Sequence, residues 1–132
     1  MGAEPYQYIV DYEENIQNAL NKLREIVFKS GDFCGIENNP KTPDEALELA
    51  DEEGTKSILD INTISDEPDY ESASPFDSDE LIDYFGTNKP TIKMIKENNE
   101  FWNDIERGMA RYIIIYKDDK PDKIFFAGYS FD

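Results

Sequence analysis

The chain has no histidine and a single cysteine, Cys34, in 132 residues. Without imidazole there is no Ser-His-Asp or Cys-His nucleophile activation, no histidine metal ligand and no imidazole switch near neutral pH. One thiol cannot close an internal disulfide, build a zinc cluster or form a C-x-x-C redox pair, and it suits a reducing compartment. Cys34 lies between Phe33 and Gly35 with no neighbouring Lys or Arg to stabilise a thiolate, so it reads as an inert thiol. Neither G-x-G-x-x-G nor G-x-x-x-x-G-K-[ST] occurs, which excludes the two common phosphate loops. No apolar run approaches the roughly 20 residues a spanning helix needs. The opening Met1-Gly2-Ala3-Glu4-Pro5-Tyr6 lacks the basic and apolar stretches of a signal peptide, and Tyr6 stands where a myristoylation motif needs Ser or Thr. The expectation is a cytoplasmic protein with no membrane partner and no cofactor.

Positive charge is also scarce, and unevenly so. Thirteen Lys and Arg face thirty Asp and Glu, and residues 42–83 hold fifteen carboxylates against one base, Lys56, a net −14 of the chain's −17. The other ninety residues are close to neutral. A field confined in this way attracts cations or basic protein surfaces and repels nucleic-acid phosphates and anionic membranes.

What is present is enough for a core: 39% of residues are hydrophobic and 13% aromatic, and the length suits one domain over residues 1–132. Tyr6, Tyr8, Val10 and Tyr12 alternate and predict a strand. Ile16, Ala19, Leu20, Leu23, Ile26 and Val27 recur at threes and fours and predict a helix ending at Ser30-Gly31. Residues 32–41 read as a loop. Thr42-Pro43-Asp44-Glu45 is a capping box opening a second helix that Gly54 ends. A strand is expected over residues 55–64, on Ile58, Leu59, Ile61 and Ile64, and an acidic loop over 65–77. A third helix over 78–85 is capped by Asp77 or Ser78, and Gly86 terminates it. A fourth is expected from Pro90 for about five turns along Ile92, Ile95, Trp102, Ile105 and Met109. Residues 112–116 and 124–129 form a hairpin. The order β-α-α-β-α-α-β-β predicts an α+β fold with an antiparallel or mixed sheet of about four strands and about four helices, the hairpin central and the 55–64 strand at an edge.

Two chemistries compete for the acidic region. Asp60, Asn62, Asp66 and Glu71 have the spacing of positions 1, 3, 7 and 12 of an EF-hand loop. Ser65 replaces the glycine of the bend and Ile64 a ligand, so no ordered metal site is expected. A carboxylate enzyme using a divalent cation would need Asp60, Asp66, Glu67 and Asp69 to converge in one pocket. Docking of a basic partner needs only that Asp66, Glu67, Asp69, Tyr70 and Glu71 share a surface, with Tyr70 as the apolar anchor. Tyr84 is a second exposed-looking aromatic, and the Trp102 stripe reads as core. No catalytic residue is assigned.

The opening Met1-Gly2-Ala3-Glu4-Pro5-Tyr6-Gln7-Tyr8, the helix Ala19-Leu20-Asn21-Lys22-Leu23-Arg24, the phrases Ser57-Ile58-Leu59-Asp60-Ile61 and Ile64-Ser65-Asp66-Glu67-Pro68-Asp69, and the ending Phe125-Phe126-Ala127-Gly128-Tyr129-Ser130-Phe131-Asp132 together resemble a family of small, uncharacterised bacterial proteins. The likeness spans nearly the whole chain and departs in the loop 32–41, shorter than the Pro-rich segment of that family, so Cys34 is not a family residue. The resemblance implies a bacterial, cytoplasmic protein and carries over no catalytic residues. The leading expectation is a non-catalytic interaction protein, of inhibitor or immunity type, docking a basic protein surface; homo-oligomers remain compatible with it. The alternative is the small metal-dependent enzyme.

Overall fold

Tyr6, Tyr8 and Val10 project from one side of β1, Pro5–Asp11, and pack against the apolar stripe of α1, Ile16–Ser30. The structure, a computed structural model, describes residues 3–131; Met1, Gly2 and Asp132, which begin and end the two terminal resemblance motifs, lie outside them. Asn15 caps α1 by accepting the Asn18 N–H at 3.1 Å, and Gly31 closes it in the left-handed conformation at φ 76°. Helix α2, Pro43–Ala50, starts where the capping box predicts. The Glu45 N–H donates to Thr42 Oγ1 at 3.1 Å, and the Glu45 carboxylate reaches back to the Lys41 N–H at 3.2 Å, one residue beyond the usual box partner.

The remaining elements are β2, Thr63–Ile64; β3, Ser72–Pro75; α3, Ser78–Phe85; α4, Ile92–Glu97; β4, Ala110–Lys117; and β5, Lys120–Tyr129. The five strands form one mixed sheet in the order β1-β5-β4-β3-β2. The pairs β1–β5 and β5–β4 are antiparallel, and β4–β3 and β3–β2 are parallel. This is an α+β fold with four α-helices among the described residues, one strand richer than expected, and the hairpin lies inside the sheet as predicted.

Each face of the sheet carries its own core. One packs Leu20, Leu23, Ile58, Leu59, Ile61 and Phe126 beneath α1 and α2. The other packs Phe76, Ile95, Phe101, Ile113 and Phe125, with Leu81 and Phe85 of α3. Two covered faces explain why β4 and β5 read as continuous apolar runs.

Three expectations are corrected. Residues 55–64 are not a strand: only Thr63 and Ile64 pair, while Ile58–Asp60 forms a 3₁₀ turn with Ile58, Leu59 and Ile61 fully buried. The Asp60 carboxylate binds Thr55 and folds the segment back on itself. The 65–77 loop yields β3, whose small side chains Ser72, Ala73 and Ser74 are all buried, a strand without the large β-formers that signal one. The long fourth helix stops at Glu97, because Asn98 turns extended and its side-chain carbonyl takes the Glu100 N–H at 2.8 Å. A 3₁₀ turn, Glu100–Asp104, follows and still buries Phe101.

Candidate functional site

A cleft of about 740 Å³ opens between α1, α2, the end of the 55–62 segment and Phe131. Its acidic wall comes from α2 and the turn after it. Asp44 and Glu48 stand four residues apart on one helix face, and Glu52 continues that line. Glu71 enters from the opposite side, beside Asn62 and Phe131. Four carboxylates thus border one concavity.

At the cleft's base lies Arg24 of α1, whose guanidinium donates to Asp44 Oδ1 at 2.9 Å and to the Leu59 carbonyl at 3.0 Å. The pair is lopsided: the Arg24 side chain is 8% exposed and that of Asp44 82%. Arg24 therefore ties α1 to α2 and to the 3₁₀ turn, while the Asp44 carboxylate remains available at the rim. A second depression of about 400 Å³, lined by Asn21, Arg24, Glu25 and Thr42 to Asp44, continues the same surface around the start of α2.

The loop between β2 and β3 divides the five predicted docking residues. Asp66, Glu67 and Asp69 are exposed. Tyr70 is 58% exposed, yet one side of its ring stacks on Phe131 at 5.6 Å and lies over Gly108. Glu71 is half-buried in a left-handed conformation at φ 58°, which turns its side chain into the cleft. Its N–H donates to the Gly108 carbonyl at 2.8 Å, and its own carbonyl accepts the Asn62 N–H at 3.0 Å. Within the loop, Ser65 Oγ donates to the Glu67 carbonyl at 2.7 Å, and the Asp69 carboxylate accepts the Tyr70 N–H at 2.8 Å. The loop is thus internally bonded and anchored at its Tyr70-Glu71 end.

Asp60 is separated from these groups by complete burial. One carboxylate oxygen accepts the Thr55 N–H at 2.6 Å and the Thr55 hydroxyl at 2.8 Å; the other has no hydrogen-bond partner among the described residues. Burial raises its pKa against the pull of those bonds, and the nearby Glu71 charge raises it further. The Tyr6 hydroxyl is likewise buried without a partner among the described residues; burial first, and the Asp60 charge second, hold it well above its ordinary value. The convergence required of Asp60, Asp66, Glu67 and Asp69 does not occur, since the first is internal and the other three are exposed. Among the described residues no group of three or more Asp, Glu, Cys or His is arranged to hold a metal ion.

Tyr84 and Trp102 belong to the second core. The Tyr84 ring meets Phe76 edge-on at 5.3 Å, and its hydroxyl donates to Asp104. Burial and that carboxylate raise its pKa. Trp102 packs on Phe101 at 5.6 Å and Tyr129 at 5.4 Å. Cys34 is exposed. Sequence reasoning passed over Asp44, Glu48 and Glu52 as a set, although their four-residue spacing was legible. Arg24 and Phe131 carried no comparable signal, because only the tertiary fold brings them to the cleft. Comparison with family models, curated proteins and solved structures finds no match to this chain. No described helix is long and apolar enough to cross a membrane.

Proposed function

We propose that this protein is a non-catalytic interaction module whose acidic side docks a basic protein surface, in the manner of an inhibitor or immunity protein shielding a toxin or a nucleic-acid-binding face. The observation that carries this reading is the placement of carboxylates from two distant segments around one cleft. Asp44, Glu48 and Glu52 form one side, and Glu71 leads from the other into the exposed loop of Asp66, Glu67 and Asp69. Tyr70, half held by Phe131 and half open, supplies apolar area next to Asp69 and Glu71 in the chain, at little entropy cost because its ring is already stacked. Such a surface accelerates encounter with positive charge and disfavours nucleic acid and anionic membranes as partners. The family resemblance adds a bacterial, cytoplasmic setting to the proposal.

Affinity capture from bacterial lysate, followed by titration of the recovered protein at increasing salt, tests it. The expected partner is basic, and its affinity falls as the screening length drops below about 8 Å. Asp66→Asn/Glu67→Gln and Glu48→Gln/Glu52→Gln variants should slow association, and Tyr70→Ala should speed dissociation. Salt-independent binding, or full binding by all three variants, would leave the acidic side as a solubilising surface.

A further inference from the structure

The edge of the sheet opposite the acidic loop is the strand β1, open along its middle. β1 pairs with β5 in unbroken register from Pro5↔Tyr129 to Asp11↔Lys123. The flanking residues fix the phase of that ladder: the Glu4 carbonyl accepts the Ser130 N–H at 2.9 Å, and the Tyr12 N–H donates to the Asp122 carbonyl at 3.1 Å. Antiparallel bonding alternates, so the even-numbered residues of β1 face β5, and Pro5, Gln7, Ile9 and Asp11 turn their backbone outward. Among the described residues nothing pairs with that side. Among the described residues the edge has no bulge, lysine on the strand or covering helix; its protections are Pro5 at the start and Asp11 at the end.

Apolar surface flanks this edge on both faces. Ile9, 42% exposed, lies on the face where Trp102 and Tyr129 line a groove of about 610 Å³ with Pro5 and Gln7. On the other face Val10 and the 61% exposed Ile26 border a depression of about 250 Å³. Two of the carboxylates here are matched, Asp11 by Lys123 and Glu13 by Lys22. The net charge lies elsewhere: three strands separate β1 from β2, which puts the acidic β2–β3 loop about 19 Å away across the sheet at the usual strand spacing.

We propose that β1 is a homodimer interface, at which a second copy of this chain adds its own β1 antiparallel and continues the sheet. Like-charged chains meet most readily away from their net charge, and this edge lies outside residues 42–83, which hold −14 of the −17, with the acidic loops left at the two far ends. A two-fold axis at Ile9 pairs Ile9 with its counterpart and sets Gln7 opposite Asp11 of the second copy. All three outward N–H groups of each strand, on Gln7, Ile9 and Asp11, then find carbonyl acceptors, and the Gln7 amide can donate to the opposing carboxylate. The interface is independent of the acidic surface.

Light scattering of the whole chain over a concentration series tests this. The expected mass is twice the 15.3 kDa of one chain. Ile9→Lys, which sets like charges face to face in the dimer and changes a side chain 42% exposed in the monomer, should give a monomer with unchanged circular dichroism. Should that variant fail to fold, cross-linking decides. In a Cys34→Ser background, Ile9→Cys should form a disulfide dimer, since opposed residues of a bonded pair sit about 5.5 Å apart at Cα. Ile82→Cys, exposed on α3, should not. A wild-type chain that stays monomeric up to about 1 mM, beyond which a dimer would be negligibly weak, overturns the proposal and leaves the edge to a strand from another protein. So does equal cross-linking at Ile9→Cys and Ile82→Cys.

Discussion

A single oxygen of the Asp60 carboxylate holds both the N–H and the hydroxyl of Thr55, at 2.6 and 2.8 Å, inside the protein. The Thr55 hydroxyl in turn lies 2.8 Å from Ser57 Oγ, which caps the 3₁₀ turn by accepting the Leu59 N–H at 3.1 Å. This small polar knot sets the path of the segment that carries Ile58, Leu59 and Ile61 into the core.

The knot makes stability depend on pH in a definite direction. Burial raises the Asp60 pKa in the folded state, so its proton is bound more tightly there than in the unfolded chain. Its contribution is therefore fully present below the unfolded value near 3.8 and is lost as pH rises through the raised folded value. Asp60→Asn cannot ionise and keeps an oxygen for Thr55. Its stability relative to wild type should improve from pH 4 towards neutrality, as read by urea melts at each pH. Asp60→Ala leaves the buried Thr55 N–H without its acceptor and should cost about 1–3 kcal/mol across the whole range. A constant offset between Asp60→Asn and wild type would mean that Asp60 titrates normally.

Two positions on one face of the central hairpin should differ in their response to truncation. Phe126 is fully buried beneath α1, whereas Ile114 is only half-buried at the margin of the same core. Phe126→Ala should cost about 3–5 kcal/mol, and Ile114→Ala clearly less, because part of its side chain already meets water. Equal losses in denaturant melts would contradict this placement.

The parts of the fold that were legible are those in which local chemistry and tertiary context agree. The alternation in β1, the stripe of α1, the Thr42 cap and a cap for α3 at Asp77 or Ser78, which the structure gives to Asp77, needed no distant partner to be read. The failures lie where tertiary context decides. Ile58, Leu59 and Ile61 lack periodicity because all their sides are buried, and a buried 3₁₀ turn shares that pattern with a strand. β3 is written in Ser, Ala, Ser and Pro, small residues of which the first three are buried there but which carry no strand signal. At the candidate site the acidic residues were visible as composition, but their convergence on Arg24 and Phe131 was not, since those two are separated from each other by most of the chain.

Arg111 should prove sensitive even to a conservative change. Its guanidinium, 5% exposed as a residue, lies 4.0 Å from the centre of the Phe76 ring. It donates to the Ser74, Pro75 and Asp104 carbonyls at 3.3, 3.0 and 3.4 Å and to Glu80 at 3.4 Å. One planar fork therefore joins β4 to β3, α3 and the 100–104 turn. Lysine keeps the charge but cannot span that geometry, so Arg111→Lys should cost about 2 kcal/mol, the worth of a charged hydrogen bond left unmade. An unchanged denaturation midpoint would show that the fork is dispensable.

The last expectation concerns how the acidic loop is held. Gly108 adopts φ 74°, and a Cβ there would fall 2.3 Å from Tyr70 Cε1 and 2.8 Å from Phe131 Cδ1. Its carbonyl also accepts the Glu71 N–H. Gly86 has nearly the same φ, 76°, but has nothing within 4 Å of its own Cβ position. Both Gly→Ala changes carry the left-handed penalty of about 1–2 kcal/mol, and only Gly108→Ala must in addition push Tyr70 off its stacked place. Hydrogen exchange should therefore accelerate across residues 65–71 in Gly108→Ala and stay at the wild-type rate there in Gly86→Ala, with every carboxylate of the loop unaltered. If the loop is a docking element, Gly108→Ala should also weaken capture of the basic partner by adding the cost of ordering the loop on binding. Identical exchange in the two variants would show that Tyr70 is not what anchors the loop.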